Sequence, residues 1–360
     1  MRSGVAPINR LIAKNIQNRH YIGAGKGNQT ILMRPLSAFF LLFLAIGNAS
    51  GQKIFESYTR PDEVWHYGKG PREVAPYNEK GYTLILPDTK DPLAGIVISL
   101  EDGRFDYKNT PLQKSIHPQA NARGFAVLYV STGIPVDLYF SERSLDYVDT
   151  VLSSVFAKYK IPNQGIFFLG SMVAGHRALK YIEYCKKGKS RWAPQIRGVV
   201  LSECAIDWVR QWYECQKQVR DHLTATQLFE GNLVTYLFQS NFADTPQTNL
   251  EKFLDFSPYS YFDTSMRHIR YFKDLAVRAY TFAPTNYWFS ATGKGIYDCN
   301  YPDMSGIINE LKLQGDKKAE LVVFSNPARE KTDKMEIQSN TWNLVDKTEL
   351  VDWMAGQLAR

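Results

Sequence analysis

The chain has 360 residues, of which 44% are apolar and 13% aromatic, enough for one large α/β domain or two small ones with a sizeable core. Its formal charge of +7 does not point to nucleic acid: residues 1–51 carry Arg2, Arg10, Lys14, Arg19, Lys26 and Arg34 and no acidic residue, and without those six charges the balance is +1. The four cysteines (Cys185, Cys204, Cys215 and Cys299) form no CxxC pair, which argues against zinc and leaves both disulfides and buried free thiols open.

Residues 33–51 read as a signal peptide, with a short basic start at Arg34, an apolar run over 36–46 and a small-x-small cleavage site after Gly51. That run is too short for a stop-transfer helix. Residues 1–32 read as upstream sequence from an earlier start codon, with a transit peptide as the alternative. The mature chain is expected to be 52–360, exported to the periplasm or the exterior, with no membrane contact after cleavage.

Within it, 53–81 is rich in turn residues and aromatics and reads as an irregular lead-in or short antiparallel edge strands. Strands follow at 82–87 and 95–100, the second apolar enough to be buried on both faces. A helix is expected over 110–122, a strand over 125–131, and a helix over 142–159 from its apolar period. Further strands are expected at 166–170, 197–202, 276–282 and 319–324, with helices at 173–185, 303–313 and 348–358. Residues 208–261 contain no strand and read as an inserted helical cap of two or three helices. This alternation implies a mainly parallel sheet with helices on both faces in a single α/β domain.

The chemistry-bearing stretch is 166–181. An apolar strand runs into Gly170-Ser171-Met172-Val173-Ala174-Gly175 and then into an amphipathic helix. This is the context of G-x-S-x-G, in which small flanking residues let a strained turn lift a nucleophile above the sheet. The nucleophile's place is taken by Met172, whose thioether attacks no ester; Ser171 stands one residue early, a displaced-nucleophile candidate.

These residues resemble the α/β-hydrolase superfamily, and most of all a secreted bacterial branch whose elbow has the form G-G-M-S-L-G-G-T-R-A-L. Gly170, Gly175, Arg177, Ala178, Leu179 and Tyr181 carry the likeness, supported by 257–260, 297–300 and 341–346. The resemblance implies an α/β-hydrolase-like fold and a serine hydrolase with chain order Ser, acid, His, the histidine lying just before the tail's tryptophan. That position falls on Asn340, which cannot take a proton from serine. The chain has six histidines (His20, His66, His117, His176, His222 and His268), and none follows the last strand. The acid's loop, 283–286, has no carboxylate, and Glu203 or Asp207 could be a relic of it.

The resemblance therefore implies a non-catalytic binding or scaffolding protein with vacated triad positions, in which Met172 fills an emptied pocket and Trp288 and Trp342 are candidate pocket walls. Glu101 and Asp102, after the second strand of the sheet, are the oxyanion-loop candidates. No cofactor or metal is called for: Asp298 and Asp303, five residues apart and without a histidine, read as turn and helix caps rather than as metal ligands. A small-molecule or peptide ligand is the expected partner, and nucleic acid is not. The alternatives are an active esterase or peptidase using Ser171 with His176, His117 or His222, a nucleophilic Cys204, and a structural subunit paired with an active relative.

Overall fold

The computed structural model describes residues 52–60, 79–110, 115–134, 136–222, 224–283, 285–325 and 341–359. Eight strands form one sheet in the order β1-β2-β4-β3-β5-β6-β7-β8. They are β1 (Lys53–Thr59), β2 (Lys80–Leu86), β3 (Gly95–Glu101), β4 (Phe125–Thr132), β5 (Ile166–Ser171), β6 (Ile196–Ser202), β7 (Ala276–Phe282) and β8 (Ala319–Phe324). β1 pairs antiparallel to β2, β2 pairs antiparallel to β4, and every later pairing is parallel. The fold class read from the sequence is the one observed.

Nine helices lie among the described residues: α1 (His117–Ala122), α2 (Glu142–Tyr159), α3 (Val173–Lys186), α4 (Trp208–Asp221), α5 (Ala225–Phe242), α6 (Leu250–Phe256), α7 (Thr285–Thr292), α8 (Tyr301–Leu313) and α9 (Lys347–Leu358). Their starts are set by side chains that satisfy otherwise unpaired amides. Ser141 caps α2, Asp207 caps α4, Thr224 caps α5 and Asp346 caps α9. α1 is shorter than the sequence suggests: its first turn begins at His117, where Pro118 supplies a preset φ, and residues 111–114 lie outside the described set. α6 starts at Leu250 rather than 246, because Asn249 caps it. α7 is absent from the sequence reading.

Strand side chains alternate between two cores. Ile96, Ile98, Leu128, Phe168 and Val199 face α2, α3 and α8. Val97, Val127, Phe167 and Val200 face α1 and α9. A third cluster joins Trp208, Trp212, Phe238, Phe253 and Phe256 of α4, α5 and α6. Among the described residues no helix is long and apolar enough to cross a membrane. None of the four cysteines is in a disulfide.

Candidate functional site

β5 delivers the chain to the turn before α3. Met172 there adopts φ 54° and ψ −122°, a conformation that L side chains rarely hold. Its N–H donates to the Ser202 carbonyl at 3.0 Å, and its own carbonyl accepts the Gly175 N–H at 3.3 Å. A Cβ on Gly170 would overlap the Gly175 backbone, and one on Gly175 would run into the Cys204 sulfur. The small residues are therefore a packing requirement of the turn. A strained strand–turn–helix at the C-terminal end of the central parallel strand, in a sheet of order 1-2-4-3-5-6-7-8, decides the architecture. The chain has the α/β-hydrolase fold.

No family model and no curated protein matches the chain. Solved structures with a similar chain path include S-formylglutathione hydrolase from Staphylococcus aureus, at 12% identity over 85% of this chain and 97% of that one, with a TM-score of 0.44. MPT51 of Mycobacterium tuberculosis is similar at 9% identity over 79% of this chain and 96% of that one, with a TM-score of 0.47. An esterase of Rhizomucor miehei is similar at 12% identity over 86% and 85%, with a TM-score of 0.48.

The apex of this α/β-hydrolase elbow is Met172, and it fills no pocket: its side chain is 45% exposed. The preceding residue is the one that faces inward. Ser171 lies on the same side of β5 as Phe167 and Leu169, and it lines a cavity of about 180 Å³ at the C-terminal ends of β3, β4 and β5. Ser99 and Glu101 of β3 and Tyr129 of β4 contribute from the same face of the sheet. Phe105, Ile116 and Trp342 cover it, and Ala174 of α3 closes the side nearest the elbow. Phe105 stacks flat on Tyr129, ring centroids 3.6 Å apart.

The polar groups here are few. Ser99 Oγ donates to Glu101 Oε1 at 2.5 Å. Burial pushes the Glu101 carboxyl above its ordinary range, against the Ser99 hydrogen bond and the nearby Arg177 charge, which pull it down. Behind the wall the Ser115 hydroxyl is hydrogen-bonded to His117 Nδ1 and also to the Tyr129 phenol. Burial lowers the His117 pKa, so the imidazole is neutral at pH 7.

The other sequence candidates take up different work. Trp342 does line the cavity, but Trp288 turns its indole N–H to the Phe282 carbonyl at 3.2 Å and packs on that ring instead. Glu203 lies outside the cavity, because β7 surrounds it with donors: it accepts from Thr281 Oγ1 at 2.7 Å and from the Phe282 N–H, and it is hydrogen-bonded to Thr341. That last bond ties the tail to the sheet just before Trp342. Asp207 caps α4 and accepts from Ser260 Oγ and the Tyr261 N–H, both at 2.9 Å. Burial and the neighbouring Asp303 raise its pKa to about 6. Asp303 in turn accepts the Ile206 and Asp207 amides and pairs with Arg210. Asp298 accepts the Gly295 N–H in a turn. Among the described residues no three His, Cys, Asp or Glu side chains gather as metal ligands would. Asn340 lies outside the described residues.

Of the oxyanion-loop candidates, Glu101 presents a carboxyl to the cavity, and Asp102 pairs with Arg177 and accepts the Val136 N–H at 3.1 Å. Arg177, 1% exposed on α3, also donates to the Asp137 carbonyl at 2.5 Å and the Leu100 carbonyl at 3.0 Å. It clamps the elbow helix to the ends of β3 and β4.

His176, His222 and His268 do not line the cavity. His176 is buried between the Leu138 carbonyl and the Trp208 indole N–H, each at 2.9 Å, and burial holds its pKa well below the ordinary value. His268 sits between the Leu254 carbonyl and Glu183, both at 3.1 Å. His222 closes α4 in a left-handed conformation and is exposed. Among the described residues no histidine hydrogen-bonds Ser171. Cys204 is fully buried against the Gly170 carbonyl at 3.3 Å, and burial raises its thiol pKa far from the thiolate range.

Sequence reasoning missed Ser99, Phe105 and Tyr129. A signal existed: in the apolar run of β3, Ser99 and Glu101 are polar at i and i+2, which puts both on one face of a strand otherwise read as buried on both sides.

Proposed function

We propose that this is an exported α/β-hydrolase-fold protein that binds a small molecule beside its elbow and does not hydrolyse it. The observation that carries the reading is the pairing of Met172 at the elbow apex with the distribution of histidines: His117, His176 and His268 are each bonded elsewhere, and no histidine follows β8 in the sequence. A serine without a positioned base lacks the group that takes its proton. Loss of a complete triad removes a factor of about 10⁶ from turnover, leaving what an oxyanion hole and binding supply. The cavity is concave and partly aromatic, the character of a ligand pocket. Export is supported by the leader-like pattern of 33–51, and N-terminal sequencing of secreted protein starting near Gln52 would agree with it; a retained Met1 would not.

One observation favours a second reading. Ser171 and Ile116 line the same cavity, and His117 follows Ile116. Steady-state hydrolysis of short-chain p-nitrophenyl esters separates the two, using wild type, Ser171→Ala and His117→Gln. The binding reading expects all three at the buffer rate. Wild-type turnover that disappears in Ser171→Ala and falls in His117→Gln would establish the hydrolase reading instead.

A further inference from the structure

Among the described residues, the carboxyl on the floor of the cavity beside the elbow has no paired counter-ion. Among the described residues Glu101 receives one hydrogen bond, that of Ser99, and no lysine, arginine or histidine forms an ion pair with it. The nearest cation, Arg177, is engaged by the Asp102 carboxylate and by the Leu100 and Asp137 carbonyls. Lys347, beside the covering Trp342, lies over its ring and donates to its carbonyl. A desolvated carboxylate is costly unless paired. The remaining polar atoms lining the cavity include the Ser99 and Ser171 hydroxyls, whose oxygens can also accept.

An ammonium head carries three donors and a positive charge. Apart from Tyr129, whose phenol is bonded to Ser115, the rest of the lining is apolar: Phe105, Ile116, Leu169, Ala174 and the Trp342 ring. Size limits the body of the ligand. A cavity of about 150 Å³ holds a benzene molecule, so one of about 180 Å³ takes a single ring or a short branched chain.

We propose that this cavity binds a small primary amine, its ammonium head on Glu101 with Ser99 and Ser171, and its apolar body against Phe105, Leu169 and Trp342. The proposal deepens the binding reading given above and rests on it. It assigns Glu101 a recognition role in place of the oxyanion-loop role that its position after β3 suggests.

The test is calorimetric titration of the full chain with benzylamine, benzyl alcohol and benzoate, repeated with Glu101→Gln and with Leu169→Ala, each variant's fold being checked by its thermal transition. Benzylamine should bind saturably, benzyl alcohol more weakly, and benzoate not at all. Glu101→Gln should weaken benzylamine at least tenfold and leave benzyl alcohol unchanged. Leu169→Ala should weaken both, which keeps the site testable should the Glu101 variant fail to fold. Benzoate binding as well as benzylamine, absence of benzylamine binding, or benzylamine binding unchanged in Glu101→Gln would overturn the amine assignment. Ester hydrolysis assayed on the same samples keeps the two failures apart: absent binding without turnover rejects only the ligand class, whereas turnover that depends on Ser171 rejects the binding reading itself.

Discussion

The elbow cavity treats buried charge differently from the rest of the sheet. On the face covered by α2, α3 and α8, charged groups are met by partners. Arg177 reaches a carboxylate and two carbonyls, and Asp149 accepts from Tyr181 and Ser190 at 2.7 Å and from the Arg191 N–H at 2.9 Å. Glu183 lies between His268, Lys187 and Lys180. On the face covered by α1 and α9, Arg278 is likewise paired with Glu320 and Glu349, but Glu101 at the cavity receives a single hydroxyl among the described residues. The first arrangement fixes loops and helices in place. The second leaves an electrostatic requirement that the described residues do not meet, which is the condition of a binding site more than of a structural one.

Removing a charge from each face should break this contrast most visibly. Arg177→Met strips the clamp from three acceptors and should cost about 3 kcal/mol in urea unfolding, in line with leaving the buried Leu100 and Asp137 carbonyls without their donor. Glu101→Gln should stay within about 1 kcal/mol of wild type or above it, since a neutral amide is cheaper to bury. Equal losses in the two variants would dissolve the distinction.

The pH dependence should sharpen it, because the two glutamates shift in opposite directions. Burial raises Glu101 above 4.5, so its contribution is fully present below that value and is lost as pH rises through its folded-state pKa. Glu183 is raised by burial but lowered more by the His268 hydrogen bond and the Lys180 charge, to about 2. Its contribution is present above 4.5 and is lost as pH falls towards 2. Thermal unfolding across pH 3–8 should therefore show wild type losing ground to Glu101→Gln with rising pH, and to Glu183→Gln with falling pH. The same slope for both variants would contradict the assigned environments.

The smallest effect is expected at the apex. Met172 is half out in solvent and holds a positive φ, so Met172→Gly loses little burial and relieves backbone strain. It should stabilise the chain by about 1 kcal/mol. Destabilisation by that much would mean that the Met172 side chain has contacts its exposure does not suggest.

The fold was legible in the sequence because β3, β4, β5 and β6 are short apolar runs separated by helical periods, a pattern that only a covered parallel sheet satisfies. The elbow was legible in Gly170, Ala174 and Gly175, since a turn this tight admits no larger residues. α7 was not, because Tyr287-Trp288-Phe289 is a continuous aromatic run without a helical period. The cavity was harder to foresee. Its walls come from β3, β4, β5, the approach to α1 and the tail, and only the register of parallel pairing brings Glu101, Tyr129 and Ser171 to the same end of the sheet. Reading the elbow as a catalytic motif drew attention to Met172, whereas the period of two along β5 turns its neighbour Ser171 inward.

The central claim is that Ser171 lines a binding cavity and is not an activated nucleophile. Intact-mass spectrometry of the full chain after incubation with a fluorophosphonate tests it directly, since such reagents add covalently to a serine whose proton is taken by a neighbouring base. The account predicts an unchanged mass for wild type, Ser171→Ala and Met172→Ser alike. A single adduct on wild type that is absent from Ser171→Ala would contradict it.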